Sequence, residues 1–157
     1  MRIHKAKFKP NGDTLVSYSI RFGDGWEKNP KESPAKPLPS FIEAMGALKP
    51  FVMKACALND GVEQFLEVTG LHLTYKGESS VTFVVTAKYP SPGSSSPCNV
   101  TTPRRTFWSD IDDSPEDQVD SETSALVQAV IDEAERFANG EYEQPDLDVQ
   151  TDQEAVA

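Results

Sequence analysis

Within residues 14–22 the alternation is uninterrupted from Val16 to Phe22. Val16, Tyr18, Ile20 and Phe22 fall at every second position, with Ser17, Ser19 and Arg21 between them. Side chains of an extended chain point to opposite faces in turn, so this run predicts a strand with one apolar face. A second run, 2–9, precedes it across Pro10-Asn11-Gly12-Asp13, where Asn-Gly accepts the positive φ of a tight reversal cheaply. The pair predicts a β-hairpin that ends at Gly23-Asp24-Gly25.

A second hairpin is expected over 64–89. Val68, Leu71, Leu73 and Tyr75 form the apolar side of one arm, Val81, Phe83, Val85 and Ala87 that of the other, and Lys76-Gly77-Glu78 the turn. The alternation slips by one residue between Val68 and Leu71, which predicts a β-bulge at Gly70. A short fifth strand is expected between Val100 and Trp108.

Helical spacing appears twice. Phe41, Ala44, Met45, Leu48, Val52 and Cys56 make one stripe, and Ser40-Phe41-Ile42-Glu43 has the spacing of a capping box. Pro50 removes a backbone donor and is expected to kink or divide this helix near Lys49. Leu126, Val127, Val130, Ile131, Ala134 and Phe137 make the second stripe, with Gly140 where a C-terminal cap belongs. The fold class is therefore α+β: an antiparallel sheet of two hairpins, packed by a Pro-interrupted helix and a C-terminal amphipathic helix. Residues 1–140 are expected to form one domain, with flexible segments at 27–39 (four prolines), 90–98 and 109–120, and 141–157 a disordered acidic tail.

Only 38% of the 157 residues are apolar, and no apolar run is long enough to span a bilayer. The N-terminus lacks a secretory signal, so Cys56 and Cys98 are expected to stay reduced in the cytoplasm. Net charge is −10, but it is divided unevenly. Residues 1–105 carry 14 Lys/Arg and 9 Asp/Glu, a balance of +5; residues 106–157 carry Arg136 alone against 16 Asp/Glu, a balance of −15. Such a body attracts anions, while its C-terminal third repels them.

Groups for catalysis are scarce. His4 and His72 lie on predicted strands without ligating neighbours, and no nucleophile elbow or phosphate loop is present. Asp110-Ile111-Asp112-Asp113 resembles the start of a calcium loop, but Pro115 and Ser121 stand where a glycine and a bidentate glutamate belong. A non-enzymatic protein without metal or cofactor is the expectation.

Binding features are better represented. Lys5, Lys7 and Lys9 would project from one face of a strand at intervals of about 7 Å. Arg21 joins them across the hairpin, and Trp26, Arg104, Arg105 and Trp108 add cations and aromatics at strand ends. Cations beside aromatics suit single-stranded nucleic acid, through phosphate contacts and base stacking. The plainer reading is that alternate lysines form the wet face of a strand. Asp132, Glu133 and Glu135, opposite the apolar stripe of the last helix, form a candidate acidic face for a protein partner.

The segment order resembles small phage-encoded proteins of unknown function found among early or replication genes. It is carried by the N-terminal hairpin, Phe41 to Pro50, Val68 to Gly77, and Glu133 to Gly140. The resemblance implies a phage or prophage setting in a host bacterial cell. The expected role is that of an accessory protein in nucleic-acid metabolism. It would bind single-stranded nucleic acid or a host or phage protein that handles it, including as a counter-defence inhibitor with a nucleic-acid-like acidic surface. The alternative is a pocket for an anionic nucleotide built around Arg104 and Arg105.

Overall fold

The computed structural model describes residues 1–91, 93, 95–109 and 117–142. Seven strands form one antiparallel sheet: β1 (Arg2–Phe8), β2 (Thr14–Phe22), β3 (Gly25–Ser33), β4 (Glu67–Lys76), β5 (Ser80–Tyr89), β6 (Cys98–Thr101) and β7 (Arg105–Ser109). The spatial order is β3-β2-β1-β4-β5-β6, with β7 beside β6 on the same edge of β5. Three helices, α1 (Pro39–Gly46), α2 (Lys49–Ala55) and α3 (Ser121–Ala138), cover one face, and a 3₁₀ turn spans Asp60–Phe65. The α+β reading holds. No described helix is long and apolar enough to cross a membrane.

The two expected hairpins form and are joined where β1 pairs with β4. The register runs in rows across the sheet. One row is Lys31, Val16, Ala6, Leu71 and Val85; the next is Pro30, Ser17, Lys5, His72 and Val84. The four apolar residues of the first row are buried to 1% exposure or less, and they meet the helices. The second row faces away from them. Aromatic edges lock helices to sheet: the Phe8 ring lies 5.1 Å from Phe41, Phe41 6.2 Å from Phe137, and Phe51 5.5 Å from Phe83.

Bulges adjust the β1–β2 and β4–β5 registers, and a third shift falls between Val81 and Thr82 where β5 pairs with β7. At Gly70 the expected slip occurs between Val68 and Gly70. A Cβ there would lie 2.9 Å from Thr86 Oγ1 and 3.0 Å from the Ala6 carbonyl oxygen, so the β1–β4 seam closes only over a glycine. A second bulge falls between Ile3 and Lys5 and leaves His4 as the extra residue.

Several expectations are corrected. The segment 27–39 is not all linker: residues up to Ser33 belong to β3, whose Phe22↔Gly25 pairing makes Gly23-Asp24 a two-residue hairpin turn. Gly23, at φ +60°, supplies its left-handed position. Pro30 is tolerated because β3 is an edge strand, with no neighbour to bond on its outer side. Ser40 is not a helix cap. Leu38 takes that position, Pro39 enters the first turn, and the Ser40 hydroxyl donates instead to Glu133 at 2.9 Å.

The single strand expected between Val100 and Trp108 is two, because Pro103 breaks it. Thr102 bridges the gap, its hydroxyl accepting from the Val85 N–H and its own N–H donating to the Val85 carbonyl. The 90–98 segment gives up Cys98 to β6, and Pro92 and Ser94 lie outside the described residues. Of the 109–120 segment, Ser109 ends β7, residues 110–116 lie outside the described residues, and Asp117–Asp120 return beside β7. The calcium-loop likeness at Asp110 to Asp113 lies there too.

The helices follow their signals more closely. Pro50 sits in the first turn of α2, and the expected division falls at Ala47-Leu48. Asp120 caps α3 by accepting the Thr123 N–H at 2.7 Å. Gly140, at φ +94°, ends it: its N–H donates to Phe137 and that of Glu141 to Arg136. Two residues of the expected tail are described beyond the cap. Glu141 lies 3.6 Å from Arg136, and Tyr142 packs on Phe137. Residues 143–157 lie outside the described residues.

The Gly70 seam yields a direct test in urea unfolding. Gly70→Ala is expected to cost about 1–3 kcal/mol through overpacking. Gly46→Ala, where a Cβ meets open space in a helical backbone, is expected to gain about 0.5–1 kcal/mol. Equal effects from the two would contradict the close approach at Gly70.

Candidate functional site

No described element covers the sheet face away from the helices, and that face is cationic. Parity places Lys5 and Lys7 of β1 there, opposite Ser17 and Leu15 on one side and His72 and Gly70 on the other. Arg2 joins them because the His4 bulge shifts the parity of β1: Arg2 lies opposite Ser19, and Ser19 opposite Lys28 of β3. Arg104, between β6 and β7, reaches the same face, its Nη1 donating to Thr82 Oγ1 at 3.4 Å. From Lys28 on β3 to Thr82 on β5, where Arg104 reaches, the sheet crosses four strand spacings, about 19 Å.

The cations differ in how far they are neutralised. Lys9 is ion-paired with Glu32. Arg21 lies 3.2 Å from Glu78, and Arg2 lies 3.9 Å from it while donating to the Gly77 carbonyl at 2.9 Å. Lys5, Lys7, Lys28 and Arg104 have no ion pair among the described residues.

Trp26, expected as a stacking platform, serves first within the fold. The Arg2 guanidinium lies 4.3 Å from the Trp26 ring centre and 4.9 Å from that of Tyr75, and Arg21 approaches Trp26 at 5.9 Å. This cluster ties the start of β1 to the turns at Gly23 and Gly77. It leaves Trp26 only 37% exposed.

Both histidines lie among these cations. His4 Nε2 and the Ser19 hydroxyl share a hydrogen bond, and the His4 ring meets Tyr75 edge-on at 5.3 Å. Burial lowers the His4 pKa, and Lys28, Arg2 and His72 lower it further. Burial likewise lowers that of His72, with Lys5, Arg104 and Lys28 adding to it. Burial first, and the surrounding cations after it, thus disfavour the protonated form of each ring.

The remaining predicted residues separate. Arg105, next to Arg104 in sequence, lies opposite Phe83 and lines a cleft of about 640 Å³ on the helical side with Phe51, Lys54, Asp117 and Glu122. Trp108 lies opposite Val81 at 45% exposure. This cleft does not take in Arg104, which reaches Thr82 on the other face.

The acidic set divides too. On a helix Glu133 and Glu135 are about 160° apart. Glu133 accepts from Ser40 and lies 3.2 Å from Arg136, and Asp132 accepts from Gln128. Glu135 is partly buried, and that burial, with Asp132 beside it, raises its pKa. The three do not form one outward surface.

Sequence reasoning passed over Arg2, weighed the two histidines only as catalytic or ligating groups, and gave Lys28 no role of its own. Lys28 becomes legible once Gly23-Asp24 is read as a two-residue turn, since the register then sets it opposite Ser19. Arg2 and His4 require the bulge, which no residue type announces. No family model, no curated protein and no solved structure matches the chain.

The histidines set a pH dependence. Their folded pKa values lie below the unfolded value near 6.5, so the unfolded chain binds more protons as pH falls through that value. Stability is expected to drop between pH 7 and pH 5.5 in thermal melts, and His4→Gln/His72→Gln to flatten that slope. An unchanged slope in the double variant would remove the histidines as its cause.

Proposed function

We propose that this protein binds single-stranded nucleic acid on the uncovered face of its sheet, as a non-catalytic accessory factor in the phage setting its segment order implies. One observation carries the reading: among the described residues Lys5, Lys7, Lys28 and Arg104 have no ion pair, and they spread across about 19 Å of sheet. Like charges held together without counter-charges repel one another, and a line of phosphates relieves that repulsion while releasing its own counterions.

Contact is made chiefly to phosphate. The centre of the face carries Lys, His and Thr side chains rather than aromatics, and Trp26 is already engaged by Arg2. Binding of this kind is strongly salt-dependent and nearly indifferent to sequence. An acidic nucleic-acid mimic draws less support, because Glu133 and Asp132 are satisfied within the fold. So does a nucleotide pocket built on adjacent arginines, since Arg105 turns to the helical side.

The test is a titration of labelled oligothymidylate at several salt concentrations. Each of Lys5→Ala, Lys7→Ala, Lys28→Ala and Arg104→Ala is expected to weaken binding and lower the slope of log affinity against log salt by about 0.7. Lys9→Ala, already paired, and Lys49→Ala, on the helical side, are expected to leave the slope unchanged. Absence of binding by the parent chain at low salt, or equal losses in all six variants, would end this reading.

A further inference from the structure

We propose that the acidic segment 143–157 is an intramolecular competitor for the same cationic face, reaching it around the β3 edge of the sheet. The inference rests on the nucleic-acid reading for its purpose, but on separate observations for its geometry.

The first is where the described chain ends. Gly140 turns the backbone off α3, and Tyr142 then lies with its ring 5.3 Å from Phe137 and 5.6 Å from Lys31 Nζ. Lys31 belongs to β3, the edge strand, on the helical side of the sheet. Three residues earlier on that strand, Lys28 is on the opposite, uncovered side. The chain therefore leaves beside the one edge that separates it from the cationic face.

The second is length. Fifteen residues follow Tyr142, with a reach of up to about 50 Å. Rounding a sheet edge takes about 10 Å, and two strand spacings from β3 to β1 take about 10 Å more. More than half of the segment remains to lie along the face.

The third is charge. The segment carries Glu143, Asp146, Asp148, Asp152 and Glu154 and has no Lys, Arg or His. In an extended chain Asp146 and Asp148 would stand about 7 Å apart on one side, the spacing at which Lys5 and Lys7 stand on β1. Tethering raises the effective concentration of such a weak ligand to about the millimolar range.

The other acidic parts are badly placed for this role. Residues 110–116 are also acidic, but the chain on either side is held at β7, where Thr106 bonds Asp117 and Val119. The acids of α3 lie behind the sheet, since that helix packs on the inner faces of β1 and β2.

The experiment keeps the full chain and changes charge alone. One variant neutralises the tail (Glu143→Gln, Asp146→Asn, Asp148→Asn, Asp152→Asn, Glu154→Gln). The control neutralises the internal segment (Asp110→Asn, Asp112→Asn, Asp113→Asn, Glu116→Gln). Amide NMR spectra are compared without nucleic acid, and oligothymidylate affinity is measured at low and high salt. The tail variant is expected to shift the amides of Lys5, Lys7 and Lys28 and to raise low-salt affinity by about tenfold, a gain that high salt removes. The control is expected to leave those amides in place.

Unshifted open-face amides in the tail variant, or equal shifts in both variants, would overturn the inference whatever the oligonucleotide does. Selective amide shifts without oligonucleotide binding by any form would uphold tail docking and overturn the nucleic-acid reading alone.

Discussion

The structure turns on a short seam, the pairing of β1 with β4 through Lys5↔His72, Ala6↔Leu71 and Lys7↔Gly70. Each hairpin by itself is a two-stranded ribbon, which is marginal in water. Joined here, they become the centre of one sheet with a single apolar side broad enough to seat three helices. The seam is narrow because Gly70 has no side chain to hold Thr86 and the Ala6 backbone apart. A slip of one residue would turn Ala6 outward and Lys5 inward, burying a charge against Leu71 and Val85. The same three pairs therefore select the core and expose the cations.

That separation governs the electrostatics. The acidic α3 and the cationic face belong to one small molecule, yet the sheet lies between them and its apolar row keeps them from neutralising each other. Where charges do meet on the β1–β2–β3 half of the sheet, they meet at its ends: Lys9 with Glu32, and Arg2 and Arg21 with Glu78. These exposed pairs add little stability, but they subtract three cations from those free to attract a ligand. Among the described residues, the cations of the open face left without an ion pair run from Lys28 on β3 through Lys5 and Lys7 to Arg104 beyond β5, around two histidines whose protonated forms burial and these charges disfavour.

Much of the fold was legible in local pattern. Alternation in 14–22 and 81–87, the slip at Gly70, the break near Pro50 and the stripe from Leu126 to Phe137 each report a short-range constraint that the packed structure obeys. The misreadings share another origin. Segment 27–33 is polar and contains Pro30, so composition pointed to linker, while an edge strand tolerates both features. Ser40 had capping chemistry and a geometric spacing to match, but Pro39 started the helix earlier and Glu133, 93 residues away, claimed the hydroxyl. Ile20 and Phe22 continue an apolar stripe past the end of the helical layer and stand exposed, Phe22 at 78%. In each case the deciding partner is distant in sequence.

The site was less legible than the fold for the same reason. Residue type tells which groups are cationic; only tertiary contacts tell which are already satisfied. Lys9 continues the Lys5 and Lys7 pattern perfectly, yet the β2–β3 register brings Glu32 beside it. Arg104 and Arg105 are chemically alike, and the resumption of pairing at β7 sends them to opposite sides of the sheet. Arg2 looked like an ordinary N-terminal charge until the bulge at His4 moved it onto the open face and between two rings. A candidate surface is thus defined by subtraction: the cations that the fold does not use for itself are those left for a partner, and here they lie where no described element covers them.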